Sequence, residues 1–168
     1  MFKQYVANAT NYSEFGSGGS TVYIDGCVNI KEIVSIESNE EFARNVSLKC
    51  SRTHVRHIHI GPAHFWGHPS DASTISRWPS YSQADIGTPD LVLVDGRFRV
   101  ACILQVCLNH PNSILMVHDF WNRLEYGCVL PFLDVIDRVD TLLVARVKDL
   151  NDSVKIQELY EEYKENSN

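Results

Sequence analysis

The chain has 168 residues and a mass of 19.1 kDa, the length of one domain. With 44% hydrophobic and 21% charged residues it has a globular composition and a core that needs no disulfide or metal staple. A net charge of −6 and a pI near 5.6 exclude a broad cationic footprint for nucleic acid or anionic membrane, and no apolar run reaches the ~18 residues of a membrane span.

In chain order, Asn11–Phe15 reads as a short strand running into Gly16-Ser17-Gly18-Gly19-Ser20-Thr21, with a helix from there to about Cys27. Residues 33–37, Ile-Val-Ser-Ile-Glu, are compact and β-branched, the pattern of a buried strand. Ser38-Asn39-Glu40-Glu41 opens a second helix with a polar cap and acids in its first turn. Residues 54–61 alternate as a third strand. Arg52, His54, Arg56, His57 and His59 cluster there, read as strand-entry chemistry with a phosphate patch as the alternative.

Residues 62–88, with Trp66, Trp78, Pro79 and Tyr81, show no period, and so long an irregular insertion is usually functional or mobile. Residues 89–96 are the cleanest strand, 98–109 have apolar residues at helical spacing, and 113–120 form a further strand. A helix is predicted over 123–132, then a hairpin over 134–139 and 141–147, then a helical tail from Ser153 that frays into solvent.

Strands alternating with helices imply right-handed crossovers and a mostly parallel sheet, and the closing hairpin forces one antiparallel strand near the C-terminus. Cys27, Cys50, Cys102, Cys107 and Cys128 are scattered without a Cys-x-x-Cys, and the start Met-Phe-Lys-Gln lacks a signal segment. We read free thiols in a reducing, cytoplasmic setting, with zinc ligation the lesser alternative.

In open parallel sheets ligands bind beyond the carboxyl ends of the strands. After the first strand come Glu14, Gly16, Ser17, Gly18, Gly19 and Ser20, where glycines let the backbone approach a ligand. After the second come Glu37, twenty-one positions beyond Gly16 and placed to accept ribose hydroxyls, and Ser38. Gly61 and Pro62 follow the third strand, Asp95, Gly96 and Arg97 the fourth, and His118 and Asp119 the fifth. A dinucleotide fingerprint is spoiled by Thr21 at its third glycine position, and no Lys completes a P-loop.

The run E-x-G-S-G-G-S, with an acid closing the second strand, resembles the first two motifs of class I S-adenosylmethionine-dependent methyltransferases. Segments 12–21, 33–42, 89–101 (P-D-L-V-L-V-D-G-R-F-R-V-A) and 114–126 are similar to a bacterial and viral group of small methyltransferase-like proteins, some occurring near glycan-modifying enzymes. The resemblance covers about residues 10–148. It implies a Rossmann-like three-layer αβα sandwich with a seven-stranded, mostly parallel sheet, all 168 residues forming one domain with a helical tail over 148–168. It implies S-adenosylmethionine as cofactor, the glycine turn passing its amino-acid part and Glu37 holding its ribose. Asp95 and the residues after strands three and four border the adenine and the substrate. Little chain precedes the first strand here, where many methyltransferases carry an N-terminal helical lid, and the 62–88 insertion is the segment expected to enclose the substrate instead.

The expected activity is O-methylation of a sugar or other small hydroxyl-bearing acceptor. His118 or Asp95 acts as general base, and Arg97 orients an anionic or sugar-like group. A metal version places Mg²⁺ between Asp95 and Asp119 with Asn122 nearby. His57, His59, His64 and His68 form a lesser metal candidate, and Trp66, Trp78 and Tyr81 a stacking platform or simply packing. The alternatives are a cofactor-binding or scaffold module without turnover, as part of a larger glycan-modifying protein, and a nicotinamide-dependent oxidoreductase. Neither nucleic acid nor membrane is expected as a partner, and the oligomeric state is left open.

Overall fold

The structure is a computed structural model that describes residues 1–149 and 152–167, with only the backbone of Phe65. Its seven strands are β1 (Asn11–Phe15), β2 (Glu32–Glu37), β3 (Arg56–His57), β4 (Leu91–Val94), β5 (Ile114–Val117), β6 (Leu133–Val139) and β7 (Leu142–Val147). They form one sheet in the order β3-β2-β1-β4-β5-β7-β6. The first five are parallel, and β7 runs antiparallel to both β5 and β6. This is the Rossmann-like α/β architecture, with its reversed strand near the C-terminus as the hairpin requires.

Alternation along the strands feeds two layers. Leu91, Leu93 and Met116 join Tyr12, Val6 and Ile24 on one face, which packs under α1 (Phe2–Val6) and α2 (Gly19–Asp25). Val92, Val94, Leu115 and Val117 join Phe15 on the other, under α5 (Arg99–Asn109). The helix α3 (Glu40–Ser47) begins at Asn39, whose side chain accepts from the Phe42 amide at 2.8 Å, with Glu40 and Glu41 in the first turn. Asp25, at the end of α2, accepts from the amides of Ser51, Arg52 and Thr53. Burial pushes its carboxyl up, but those donors outweigh it and hold it far below the carboxylate range.

Four expectations need correction. The third strand is two residues long rather than 54–61, because β2 ends at Glu37 and leaves residues 58–60 no edge to pair with. Residues 124–132 are 3₁₀ turns rather than a helix, with Gly127 and Pro131 interrupting the segment. The tail helix α6 (Ser153–Tyr163) does not fray: Ile156 and Tyr160 are buried against the core, and Tyr160 Oη lies 3.2 Å from Ser82 Oγ. The insertion carries 3₁₀ turns (Phe65–Gly67 and Ala72–Arg77) and α4 (Pro79–Ser82). Its Tyr81 is fully buried between Phe15 and Phe98, and Trp78 packs on Phe98, so neither offers a stacking platform. The predicted basic cluster braces loops: Arg52 donates to Ile30 and Cys27 carbonyls, and Arg56 to that of Asp85. No helix among the described residues is long and apolar enough to cross a membrane.

Candidate active site

The strand order reverses between β1 and β4, and the loops leaving these two strands pass in direct backbone contact. Gly16 has φ +96°, and a Cβ there would lie 2.5 Å from the Gly96 nitrogen. A Cβ at Gly96 would lie 2.8 Å from the Gly16 nitrogen and 2.2 Å from Tyr81 Oη. Only glycines permit this approach. Beyond it opens a cleft of about 650 Å³, a size suited to a nucleoside-sized ligand.

The two acids expected near the cofactor have different environments. Glu14 is fully buried and faces away from the cleft. Hydroxyls of Tyr12 (2.8 Å), Ser20 (2.7 Å), Ser35 (2.7 Å) and Thr21 all donate to its carboxylate, tying β1, β2 and the first turn of α2 together. Burial raises its pKa, and the four hydroxyls partly offset that. Glu37 lines the cleft at 7% exposure. Its Oε1 accepts from the amides of Ser38 (2.7 Å) and Asn39 (3.0 Å), and its Oε2 from Ser17 N (3.1 Å) and Ser17 Oγ (3.0 Å). Glu37 thus joins the glycine turn to the start of α3.

At the other end, Asp95 and His118 meet. His118 Nδ1 lies 3.0 Å from Asp95 Oδ1, and the imidazole side chain is 49% exposed. A carboxylate only accepts, so Nδ1 carries the proton, and in the neutral imidazole Nε2 keeps its lone pair. Arg99 grips the same structure: Nη2 to Asp95 Oδ1 at 3.1 Å, Nη1 to the His118 carbonyl at 2.6 Å, and Nη1 to Asp119 Oδ2 at 3.7 Å.

This arrangement does not fit Mg²⁺. The Arg99 guanidinium already occupies the position between Asp95 and Asp119, Asn122 is exposed and outside the cleft, and no group of three or more His, Cys, Asp or Glu among the described residues could hold a metal. Of the four histidines weighed as a lesser metal candidate, His57 lies 3.2 Å from the Ser38 carbonyl, His59 2.9 Å from Arg77 and His68 2.5 Å from Arg97.

Residues 63–69 fold over the cleft as a small hairpin, with Ala63 bridged to Pro69 and the His64 amide donating to the His68 carbonyl at 2.7 Å. The Gly67 carbonyl accepts from Ser38 Oγ at 3.3 Å, and a Cβ on Gly67 would lie 2.3 Å from that oxygen. Trp66 beside it is 87% exposed. Of four non-glycine residues with left-handed backbone among the described residues, Trp66 (φ 62°) and Asp119 (φ 57°) line the cleft and Phe98 (φ 53°) follows Arg97 directly. Such strain, of order 1–3 kcal/mol each, gathers where a site needs a particular backbone.

Of the residues singled out from sequence, Gly16, Ser17, Glu37, Ser38, Trp66, His68, Asp95, Gly96, Arg97, His118 and Asp119 line this one cleft. Gly18, Gly19 and Ser20 do not line it, the Ser20 hydroxyl donating to buried Glu14 instead, and Gly61 and Pro62 also lie outside it, Gly61 packed on Thr74. Sequence reasoning missed Asn39, Glu41, Phe42, Asn45, Gly67, Arg99 and Arg123 as lining residues. Position after a strand end flags only Asn39 among them; the others arrive through helix faces and the folded insertion.

No family model and no curated protein matches the sequence. Among solved structures, a methyltransferase-like protein from Silicibacter pomeroyi DSS-3 is 25% identical, covers 99% of this chain and 92% of its own, and superposes with a TM-score of 0.82. A candidate methyltransferase from Thermoplasma acidophilum is 14% identical over 84% of this chain and 69% of its own, and at a TM-score of 0.48 is too distant to add to the argument. The chain has the fold of class I, Rossmann-like S-adenosylmethionine-dependent methyltransferases.

Proposed function

We propose that the protein is an S-adenosylmethionine-dependent methyltransferase that methylates a hydroxyl oxygen of a small acceptor. The fold shared with a methyltransferase-like protein supports the class. The observation that carries the reading is that the glycine contact, Glu37 and the Asp95–His118 pair open onto one cleft.

The residues present fit the cofactor. The glycine turn, whose Gly16 lies against the Gly96 backbone and lines the cleft with Ser17, would pass its amino-acid part. Glu37 would hold the ribose, and Phe42 and Trp66, both exposed in the cleft, would offer faces to the adenine. Thr21, buried at the third fingerprint position and bonded to Glu14, argues against a nicotinamide dinucleotide. When bound, S-adenosylmethionine supplies a methyl group made electrophilic by its sulfonium. The chain holds the acceptor in line and removes its proton. The hydroxyl proton passes to Nε2 of His118, Asp95 keeps the opposite nitrogen protonated, and Arg99 fixes Asp95.

Calorimetric titration with S-adenosylhomocysteine tests the reading. Saturable micromolar binding is expected, weakened about tenfold by Glu37→Gln through loss of a charge-assisted bond to the ribose. Absence of binding to the native chain overturns the proposal.

A further inference from the structure

Charge in the cleft is unevenly matched. Arg99 is met by Asp95 and Asp119, but Arg97 and Arg123, which line the same cleft, form no ion pair among the described residues. Arg97 is only 7% exposed, and a buried guanidinium without a counter-charge is costly. Its Nη1 donates to Nε2 of His68, a nitrogen that must be unprotonated to accept and so brings no negative charge. Its Nε is buried and has no hydrogen-bond partner. The Arg123 guanidinium rests 5.7 Å from the centroid of the Tyr126 ring, and the Tyr126 hydroxyl is a second buried polar atom without a partner. Neither Glu37 nor Glu41, the remaining acids of the cleft, pairs with either arginine. Two unmatched guanidiniums and an unfilled donor describe a receptor for an oxyanion, which such forks bind with both geometry and charge.

We propose, building on the methyltransferase reading, that the acceptor is itself an anion. A carboxylate or phosphate on it seats against Arg97 and Arg123 and so presents the neighbouring hydroxyl to His118. A competing occupant is the carboxylate of the cofactor's amino-acid part, and the experiment separates the two.

The full chain is titrated calorimetrically with sodium phosphate and with sodium acetate at constant ionic strength, with and without saturating S-adenosylhomocysteine. The expected result is saturable oxyanion binding in the presence of the nucleoside. Arg97→Gln and Arg123→Gln should each weaken it about tenfold while leaving nucleoside affinity unchanged. Binding of phosphate alone or acetate alone supports the site and assigns its chemistry. Oxyanion binding without any nucleoside binding keeps the site and removes the methyltransferase reading. No saturable binding of either salt overturns the proposal, as does an Arg97→Gln variant that loses nucleoside and oxyanion affinity together. Should Arg97→Gln fail to fold, Arg123→Gln decides, since among the described residues its half-buried side chain contributes only a ring contact.

Discussion

Asp95 is the residue on which two demands meet, since one of its oxygens serves both His118 at 3.0 Å and Arg99 at 3.1 Å. As an amide it would no longer select the productive imidazole tautomer. Asp95→Asn is therefore expected to lower turnover by about 10²–10⁴ with S-adenosylhomocysteine affinity unchanged; a parallel loss of affinity would place Asp95 in the cofactor pocket instead. His68 reports on the same cleft through pH. Burial, then Arg97, then Arg123 lower its pKa below the ordinary imidazole value. The folded state then binds fewer protons than the unfolded one, so this contribution to stability is full above about pH 6.5 and is lost as pH falls through the lower, folded value. Urea midpoints at pH 7.5 and pH 5 should differ less in His68→Gln than in the native chain. Part of the difference persists, because burial lowers His110 as well.

At the scale of elements, the site is a consequence of how β1 and β4 end. Their loops touch backbone to backbone at Gly16 and Gly96, and the left-handed turn at Gly16 (φ +96°) aims the chain into α2. Gly16→Ala combines that strain with a Cβ 2.5 Å from backbone nitrogen that has no room to yield. Its expected cost is about 2 kcal/mol or more in chemical denaturation, together with loss of nucleoside binding. A variant of native stability and affinity would show that the two loops separate without consequence. The insertion differs in kind. Its backbone bonds, such as Ser70 N to the Pro62 carbonyl and Thr74 N to that of Asp71, are local, yet it delivers Gly67 onto Ser38 and His68 onto Arg97 at the edge of the cleft.

For the molecule as a whole, the cation that balances the acids at the ends of β4 and β5 is supplied from within, by Arg99 at the start of α5. Activity and S-adenosylhomocysteine binding are accordingly expected to survive exhaustive treatment with a chelator, measured against metal-supplemented protein. Loss of activity restored by Mg²⁺ would mean that Arg99 is displaced in the working enzyme. The sheet around this arrangement was legible in the chain itself. Glycines after β1, an acid closing β2 and the unbroken apolar run of β4 are local patterns, and a short hairpin admits only an antiparallel reversal. What each polar residue does was not legible. Glu14 and Glu37 both stand at strand ends, but four hydroxyls seal one into the core while the other opens on the cleft. Tyr81 and Trp66 belong to one aromatic insertion, but one is buried and the other is exposed. Periodicity and turn chemistry act between near neighbours, so the sequence by itself determined the order of the strands and most of the helices, but not the short β3, the 3₁₀ turns over 124–132, or α1 and α4. Burial, charge pairing and access to the cleft depend on residues twenty to eighty positions apart, and only the tertiary structure decided them.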